Sequence, residues 1–423
     1  MNENKSELSR RQFLTRASGT VAALTALDPL LGLAQADQSV ATNAPAATEI
    51  KRKIKLGVVG LGGRGSWITD LFRRHGGYDI HAVADYFPDR AKSAGDHFGV
   101  DAARRFSGLS GYQRLIESGV EAVAIESPPY FHPEQAAAAV EAGKHVYCAK
   151  PIAVDVPGCR TVEASGQKAT EKKQVFIVDF QTRADPFYTE ALRRIHAGDI
   201  GQIAFIEGIY HADCPWSQWI DPLSKNPQDP EMRLRAWGLD KILSGDIITE
   251  QNIHTLDVVN WVVGAAPLHA SGTCGLSTRP PVGSVADHFV CFFQFPDGIG
   301  VTFSSRQFNG YDTKPDGIRV RAFGQKGVLE SEYGGSVLIR GNNFYQGGKS
   351  PGIYEEGACR NIATFYENIT QGKTDNATVT PSVRSNLITI LGRTASYRGE
   401  LVTWENILAA NERLEADLKG LKS

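Results

Sequence analysis

From residue 53 onward, short apolar runs alternate with segments of helical period. Leu56 to Val59 read as a buried strand, Ser66 to Arg74 as a helix, and Ile80 to Ala84 as a second strand ending at Asp85. The pattern continues with helices over Pro88 to Phe98 and near Tyr112 to Ser118, a buried strand at Ala122 to Ile125, and an alanine-rich helix from Pro133 to Ala142. A strand at Val146 to Ala149, a helix over Val156 to Glu171 and a strand at Gln174 to Val178 bring this region to a close near Thr182. Strands alternating with helices predict a parallel, doubly wound α/β sheet. Beyond Gln202 the period changes to β-branched and aromatic runs at Ile203 to His211, Leu268 to Cys274, His288 to Phe295, Gly300 to Ser305, Ile318 to Phe323, Val328 to Ser331 and Val337 to Arg340. Turns such as Pro296-Asp297-Gly298 separate neighbours, so an antiparallel meander is expected. One strong helix, Thr249 to Val263, interrupts it, and helices over Glu356 to Gln371 and Ser382 to Arg398 are expected to brace both domains. The domain reading is therefore 51–182 for the doubly wound domain and 183–423 for an α+β domain with a large, mostly antiparallel open sheet.

The first strand ends in a glycine turn, and here chemistry enters. Gly60, Gly62 and Gly65 fit G-x-G-x-x-G, with Leu61, Gly63 and Arg64 between them. The spacing suits a tight turn, a close backbone approach to a pyrophosphate and tight helix–strand packing, with the helix start offering free N–H groups to phosphate. Asp85 stands twenty residues after Gly65, at the end of the second strand, where a carboxylate accepts hydrogen bonds from the adenosine ribose. NAD is expected, with Tyr86 and Phe87 forming an adenine wall; Arg64 and Arg90 keep NADP open. A glycine-rich surface turn is the plainer alternative. In a doubly wound sheet ligands sit beyond the carboxyl ends of strands, which is where Glu126, Ser127, Pro128, His132 and Lys150 fall.

The chain has 423 residues, 42% hydrophobic content and a formal net charge of −2, enough for two cores and without the basic stripe of a nucleic-acid binder. Ser9-Arg10-Arg11-Gln12-Phe13-Leu14 precedes a modestly apolar run from Ala17 to Ala34, and Ala34-Gln35-Ala36 is a small-x-small cleavage site. Residues 1–36 are expected to be a twin-arginine export signal and 37–50 a flexible leader, making the mature protein periplasmic or otherwise exported. A membrane anchor fits less well because Thr25, Asp28 and Pro29 interrupt the run. The six cysteines are scattered, with no C-x-x-C and no histidine at ligand spacing, so no metal site and no particular disulfide is assigned.

The segments GVVGLGGRG, VAIESPPYFH, AGKHVYCAKP and SGDIITEQNIHTLDVVNWVVG together resemble the Gfo/Idh/MocA oxidoreductases, from Lys53 to about Ile407. The resemblance implies that Lys150, in its Lys-Pro pair, reaches both the nicotinamide ribose and the reacting hydroxyl, and that Glu250 and His254 match an acid-x-x-x-His pair. On a helix an i, i+4 pair also converges from one face, whatever the family. Histidine suits a base for an alcohol proton, and a nearby lysine steadies the developing oxyanion. Against this, Lys150 could be a surface lysine, His254 a satisfied interface histidine, and the Glu–His pair two metal ligands without a third. Where the family reads Glu-Lys-Pro this chain has Ala149-Lys150-Pro151, and Glu126 stands where a small residue is usual. Glu126 is expected either to supply the missing carboxylate or to face solvent.

Between His211 and Ser244 lie Trp216, Trp219 and Trp237, whose flat faces suit sugar C–H groups and which can equally pin a long loop. Arg183, at the domain junction, is a candidate contact for substrate or phosphate. The resulting expectation is an exported NAD(P)-dependent oxidoreductase acting on a sugar or polyol hydroxyl through Lys150, His254 and Glu250, with Lys150, Arg183, Trp216, Trp237, Glu250 and His254 touching substrate. Transient oxidation and elimination of a glycoside is the alternative chemistry, and a non-catalytic sugar-sensing module the alternative class. His288 to Phe295 is apolar on both alternating faces, so a homodimer or homotetramer through the second sheet is expected.

Overall fold

The computed structural model describes residues 50–423, so the expected export signal and almost all of the leader lie outside the described residues. Six strands, β1 (Ile54–Val59), β2 (Tyr78–Asp85), β3 (Arg105–Ser107), β4 (Ala122–Ile125), β5 (His145–Ala149) and β6 (Phe176–Asp179), form one sheet in the order β3-β2-β1-β4-β5-β6. Every pairing is parallel. The order reverses between β1 and β4, and at such a switch point the outgoing loops diverge to leave a crevice. β1 enters it at Gly60, whose φ of +88° and whose missing side chain are both needed: a Cβ there would lie 2.5 Å from the Ser127 nitrogen. A side chain at Gly65 would fall on the Gly60 carbonyl, so the helix Gly63–His75 starts hard against the strand.

The second sheet has nine strands: β7 (Ile203–Ala212), β8 (His269–Gly275), β9 (His288–Gln294), β10 (Gly300–Gln307), β11 (Gly317–Gly324), β12 (Gly327–Glu332), β13 (Ser336–Gly341), β14 (Tyr345–Lys349) and β15 (Val402–Thr403). Their order is β14-β13-β12-β11-β7-β10-β9-β8-β15. This corrects the simple meander: β7 inserts between β10 and β11 and pairs with β10 in parallel, the other pairings being antiparallel. Strand period alone cannot reveal such an insertion, because the sheet is closed by a partner nearly a hundred residues away in the chain, as the β7–β10 pair Phe205–Gly300 shows.

The helix Ile353–Gln371 covers the first sheet, burying Ile362, Phe365 and Tyr366 with Ile54, Leu56 and Phe72. The helix Val379–Arg398 belongs to both cores, giving Val383, Leu387 and Ile390 to the first domain and Ile388, Leu391 and Ala395 to the second. One helix buried on opposite sides fastens the domains together. The expected helix from Thr249 to Val263 is in fact two, Ile247–Glu250 and Ile253–Val263, broken at Gln251-Asn252. The region from 211 to 244, read as irregular, carries the short helices Ile220–Lys225, Pro230–Arg235 and Lys241–Ser244.

Candidate functional site

Two adjoining cavities lie beyond the carboxyl ends of the parallel strands, and Glu126, Ser127 and Trp237 line both. The smaller, of about 80 Å³, is bounded by Gly60, Gly62, Asp85, Phe87, Pro128 and Leu109 among others. Asp85 is buried, with Oδ2 accepting the Leu61 N–H at 2.7 Å and Oδ1 the Phe87 N–H at 2.9 Å. Burial raises its pKa while these two donors pull it back, and each oxygen keeps a lone pair free for a ribose hydroxyl. Leu61 therefore acts through its backbone, orienting the carboxylate, and Gly65 acts by its absence of bulk. Arg90 stands by Gly62 at this cavity.

Arg64 turns the other way, which removes it as a partner for an adenosine phosphate. It pairs with Asp179 at the end of β6, donates from Nη1 to the Tyr354 hydroxyl at 3.0 Å and sits with Nε 3.1 Å from Glu126 Oε2. Its guanidinium also lies 5.5 Å from the ring centres of both Trp67 and Tyr354. Asp179 is further satisfied by Gln181 at 3.0 Å and Asn361 at 2.7 Å. Glu126 is not: its side chain is fully buried and neither oxygen receives a hydrogen bond, the Arg64 N–H being close but poorly aimed. Burial pushes the Glu126 pKa up to about 7, against the pull of Arg64. The expectation of a solvent-facing Glu126 is thus corrected.

The larger cavity, of about 420 Å³, holds Gly63, Arg64, His132, Lys150, Glu250 and His254, with Trp216, Trp219 and Trp237 on its far wall. Lys150 is no surface lysine. Its Nζ donates to the Glu250 carbonyl at 2.6 Å and approaches Glu250 Oε1 at 3.4 Å. That carbonyl is available because the helix breaks there: the His254 N–H bonds to Gln251 O at 3.3 Å instead of reaching back to residue 250. The i, i+4 argument from a continuous helix is corrected accordingly, although both side chains still reach the cavity. Burial lowers the Lys150 pKa and the Glu250 carboxylate raises it again, the net shift being downward. His254 is buried beside the Tyr333 ring, 5.2 Å between centres, with Nδ1 unpartnered. Burial first, then the charges of Lys150 and Arg64, hold its pKa well below the usual histidine value, so it is a neutral imidazole at pH 7.

His132 spans two carbonyl oxygens, Pro151 O at 2.8 Å from Nδ1 and Ser127 O at 2.6 Å from Nε2, tying the ends of β4 and β5 together. Burial pushes its pKa down to about 4. Neutral at pH 7, it donates to one of these carbonyls, and with both nitrogens turned to backbone oxygens it shapes the floor of the cavity. Trp216 and Trp237 meet edge to face at 5.5 Å. Arg183 is a correction: it clamps buried Asp257 through bonds of 2.9 to 3.1 Å, lies over Trp261 and lines neither cavity. Sequence reasoning missed Gln251, Tyr333 and Tyr354 in the cavity wall. Gln251 donates to Glu250 Oε2 at 2.6 Å and accepts from the Tyr210 hydroxyl, which fixes the Glu250 carboxylate. Its place in the helix break is the only signal that marks it. Among the described residues no group of three or more His, Cys, Asp or Glu is placed to hold a metal ion.

Known proteins share this fold. The chain is 24% identical over 332 residues to the scyllo-inositol 2-dehydrogenase (NAD(+)) of Bacillus subtilis, covering 77% of this chain and 89% of that protein. It is 29% identical over 212 residues to an inositol 2-dehydrogenase of Salmonella paratyphi B, covering 50% of this chain and about half (54%) of the relative. Among solved structures, a levoglucosan dehydrogenase in complex with NADH and levoglucosan superposes with a TM-score of 0.67 at 20% identity, over 83% of this chain and 99% of that one, a likeness of fold. Residues 54–180 match the oxidoreductase family described as an NAD-binding Rossmann fold, and residues 188–330 match the GFO/IDH/MocA C-terminal domain; the chain belongs to the Gfo/Idh/MocA family.

Proposed function

We propose that this protein is an NAD-dependent oxidoreductase that takes a hydride from a CH–OH group of a sugar or polyol. The observation that carries the reading is the meeting of Lys150, Glu250 and a neutral, buried His254 in a cavity that shares a wall with the nucleotide crevice. Bound NAD supplies the hydride acceptor. His254, uncharged and with an unpartnered nitrogen, takes the hydroxyl proton. Lys150 spends two N–H directions on Glu250 and has one left for the oxygen on which charge develops. The tryptophan wall offers apolar faces to the ring, and the polyol substrates named for the inositol dehydrogenases support that class. Asp85, with room for two ribose hydroxyls, supports NAD over its phosphorylated form.

Glu126 completes the nucleotide site in this reading. It stands in the partition between the two cavities, where the second ribose of a dinucleotide must pass, and its two unsatisfied oxygens match a vicinal diol. Ala149 leaves the neighbouring strand end without a carboxylate.

The first test concerns the proton. Lys150→Met should lower kcat by about 10²- to 10⁴-fold while NAD affinity changes little, as read by stopped-flow hydride transfer and nucleotide titration. Unchanged turnover takes Lys150 out of the mechanism, and failure of any sugar or polyol to reduce bound NAD overturns the reading. The second concerns Glu126. ADP-ribose should bind about tenfold tighter than ADP, and Glu126→Gln should erase the difference by weakening ADP-ribose alone. Because the contact needs the ionised carboxylate, the difference should shrink as pH falls below about 7 and vanish from the pH profile of the variant. Equal loss for both ligands would make Glu126 a support for Arg64 only.

The outer face of the second sheet exposes Val290 (54%), Phe205 (42%) and Phe292 (38%), which supports assembly of two or more copies through that face. Val290→Asp with Phe292→Asp should lower the mass seen by light scattering; a wild-type monomer at micromolar concentration argues against assembly. The twin arginines support export, and replacing Arg10 and Arg11 by Lys should leave the protein in the cytoplasm. Unchanged export would dismiss that route.

A further inference from the structure

The adenosine end of the crevice is closed by two segments that the parallel sheet does not supply. The first is the helix Pro230–Arg235 and the turn after it, from which Leu234 and Trp237 line the smaller cavity. It is latched to the end of β2 at three points. The Tyr86 hydroxyl donates to Glu231 Oε1 at 3.0 Å, the Arg235 guanidinium lies 3.7 Å from the Phe87 ring centre, and the same guanidinium is 3.6 Å from Asp89.

The second segment, residues 411–423, is an extended ribbon. Leu414, Ala416, Leu418 and Leu421 are its partly buried residues, set among exposed Glu412, Arg413, Glu415, Asp417 and Lys419. Its hydrogen bonds fall on the loops that build the crevice. Leu414 N–H donates to Asp155 at 2.8 Å, Ala416 N–H to the Tyr130 hydroxyl at 3.3 Å and Lys422 N–H to the Tyr86 hydroxyl at 3.1 Å, while Lys422 O accepts from Leu109 N–H at 2.9 Å. Ala416 and Leu421 pack on the apolar cluster of Phe87, Leu234 and Leu243. The two segments also meet, with Lys422 Nζ 3.8 Å from Glu231. Lifting the helix from the crevice therefore breaks into the packing of the ribbon.

The space left beside them, about 80 Å³, is well under the roughly 300 Å³ or more of an ordinary ligand pocket, so seating an adenosine there requires this wall to move. Opening exposes Phe87, Leu234 and Leu243, which are 3 to 5% accessible when closed, and breaks several hydrogen bonds at once. We infer that NAD stays on this protein through many turnovers as a resident group, with residues 230–243 and 411–423 acting together as the latch over its adenosine half. The inference rests on the NAD reading above.

The test is nucleotide exchange, not activity. The full chain loaded with isotopically labelled NAD and passed through gel filtration should keep its label, and should release it into excess unlabelled NAD far more slowly than it turns over. A chain ending at Asn411 should release label at least about tenfold faster, affinity loss of this kind appearing mainly in the off-rate. Leu421→Asp, a milder change for use should the shortened chain not fold, should also speed release by several-fold. Fast exchange by the full chain, or release rates unaltered in both folded variants, would overturn the latch while leaving the oxidoreductase reading intact. A chain that binds no NAD at all would overturn both.

Discussion

The site depends on one buried cation. Lys150 follows directly on β5 with its side chain only 8% exposed, and an ammonium removed from water without partners is far too costly to keep charged. The acceptor comes from the other domain, as a backbone carbonyl at a helix break backed by the Glu250 carboxylate. The break is therefore part of the site. A continuous helix would commit the Glu250 carbonyl to the residue 254 N–H and leave the lysine only a distant carboxylate oxygen. The same bond fixes how the domains meet, since it joins a strand end of one to a helix end of the other.

Around that contact the charges nearly balance. Arg64 and Lys150 stand against Glu126, Asp179 and Glu250, and Arg64 donates to Tyr354 and Asp179 while its Nε lies near Glu126 without a hydrogen bond. Burial first, and then the two positive charges nearby, make a third charge there unfavourable, so the His254 imidazole rests neutral. The surplus carboxylate is Glu126, the one member left without a hydrogen-bond donor. An arrangement with one acid too many and one acceptor pair unsatisfied is poorly explained by folding alone, and it lies in the partition shared by the two cavities.

Much of this was legible in the chain. The glycine turn, Asp85 and every strand of the parallel sheet except the short β3 announce themselves through apolar runs and strand-end chemistry, because parallel strands are buried on both faces. Lys150, Glu250 and His254 were legible as residues. Their geometry was not, since the spacing of Glu250 and His254 is the same in a straight helix and in a broken one, and only tertiary bonding at Lys150 decides between them. Arg183 and Arg64 misled for one reason: a guanidinium near a strand end looks ligand-bound until its carboxylate partner, Asp257 or Asp179, arrives from elsewhere in the chain. Residues 411–423 carry no strong period signal, because four modest apolar side chains alternate with charges in a ribbon that gains its partners only on folding.

The helix Val379–Arg398 adds a mechanical consequence. Because both cores include it, the domains cannot hinge apart without exposing Ile388 and Leu391 on one side or Val383 and Leu387 on the other. Each such side chain is worth about 1.5–3 kcal/mol of burial, so wide domain opening is disfavoured by several of them together. Motion that admits ligands must then be local, confined to segments that touch the cores only at their margins. The tryptophan side chains of residues 216–237 sit at such a margin: Trp216 and Trp219 are only partly buried against the second core, Leu223, Ala236 and Leu239 nearby are buried in it, and Trp216, Trp219 and Trp237 line the larger cavity. Rigid placement of Lys150 against Glu250, with an aromatic wall opposite whose backbone is anchored in the second core, thus follows from where the long helix is buried.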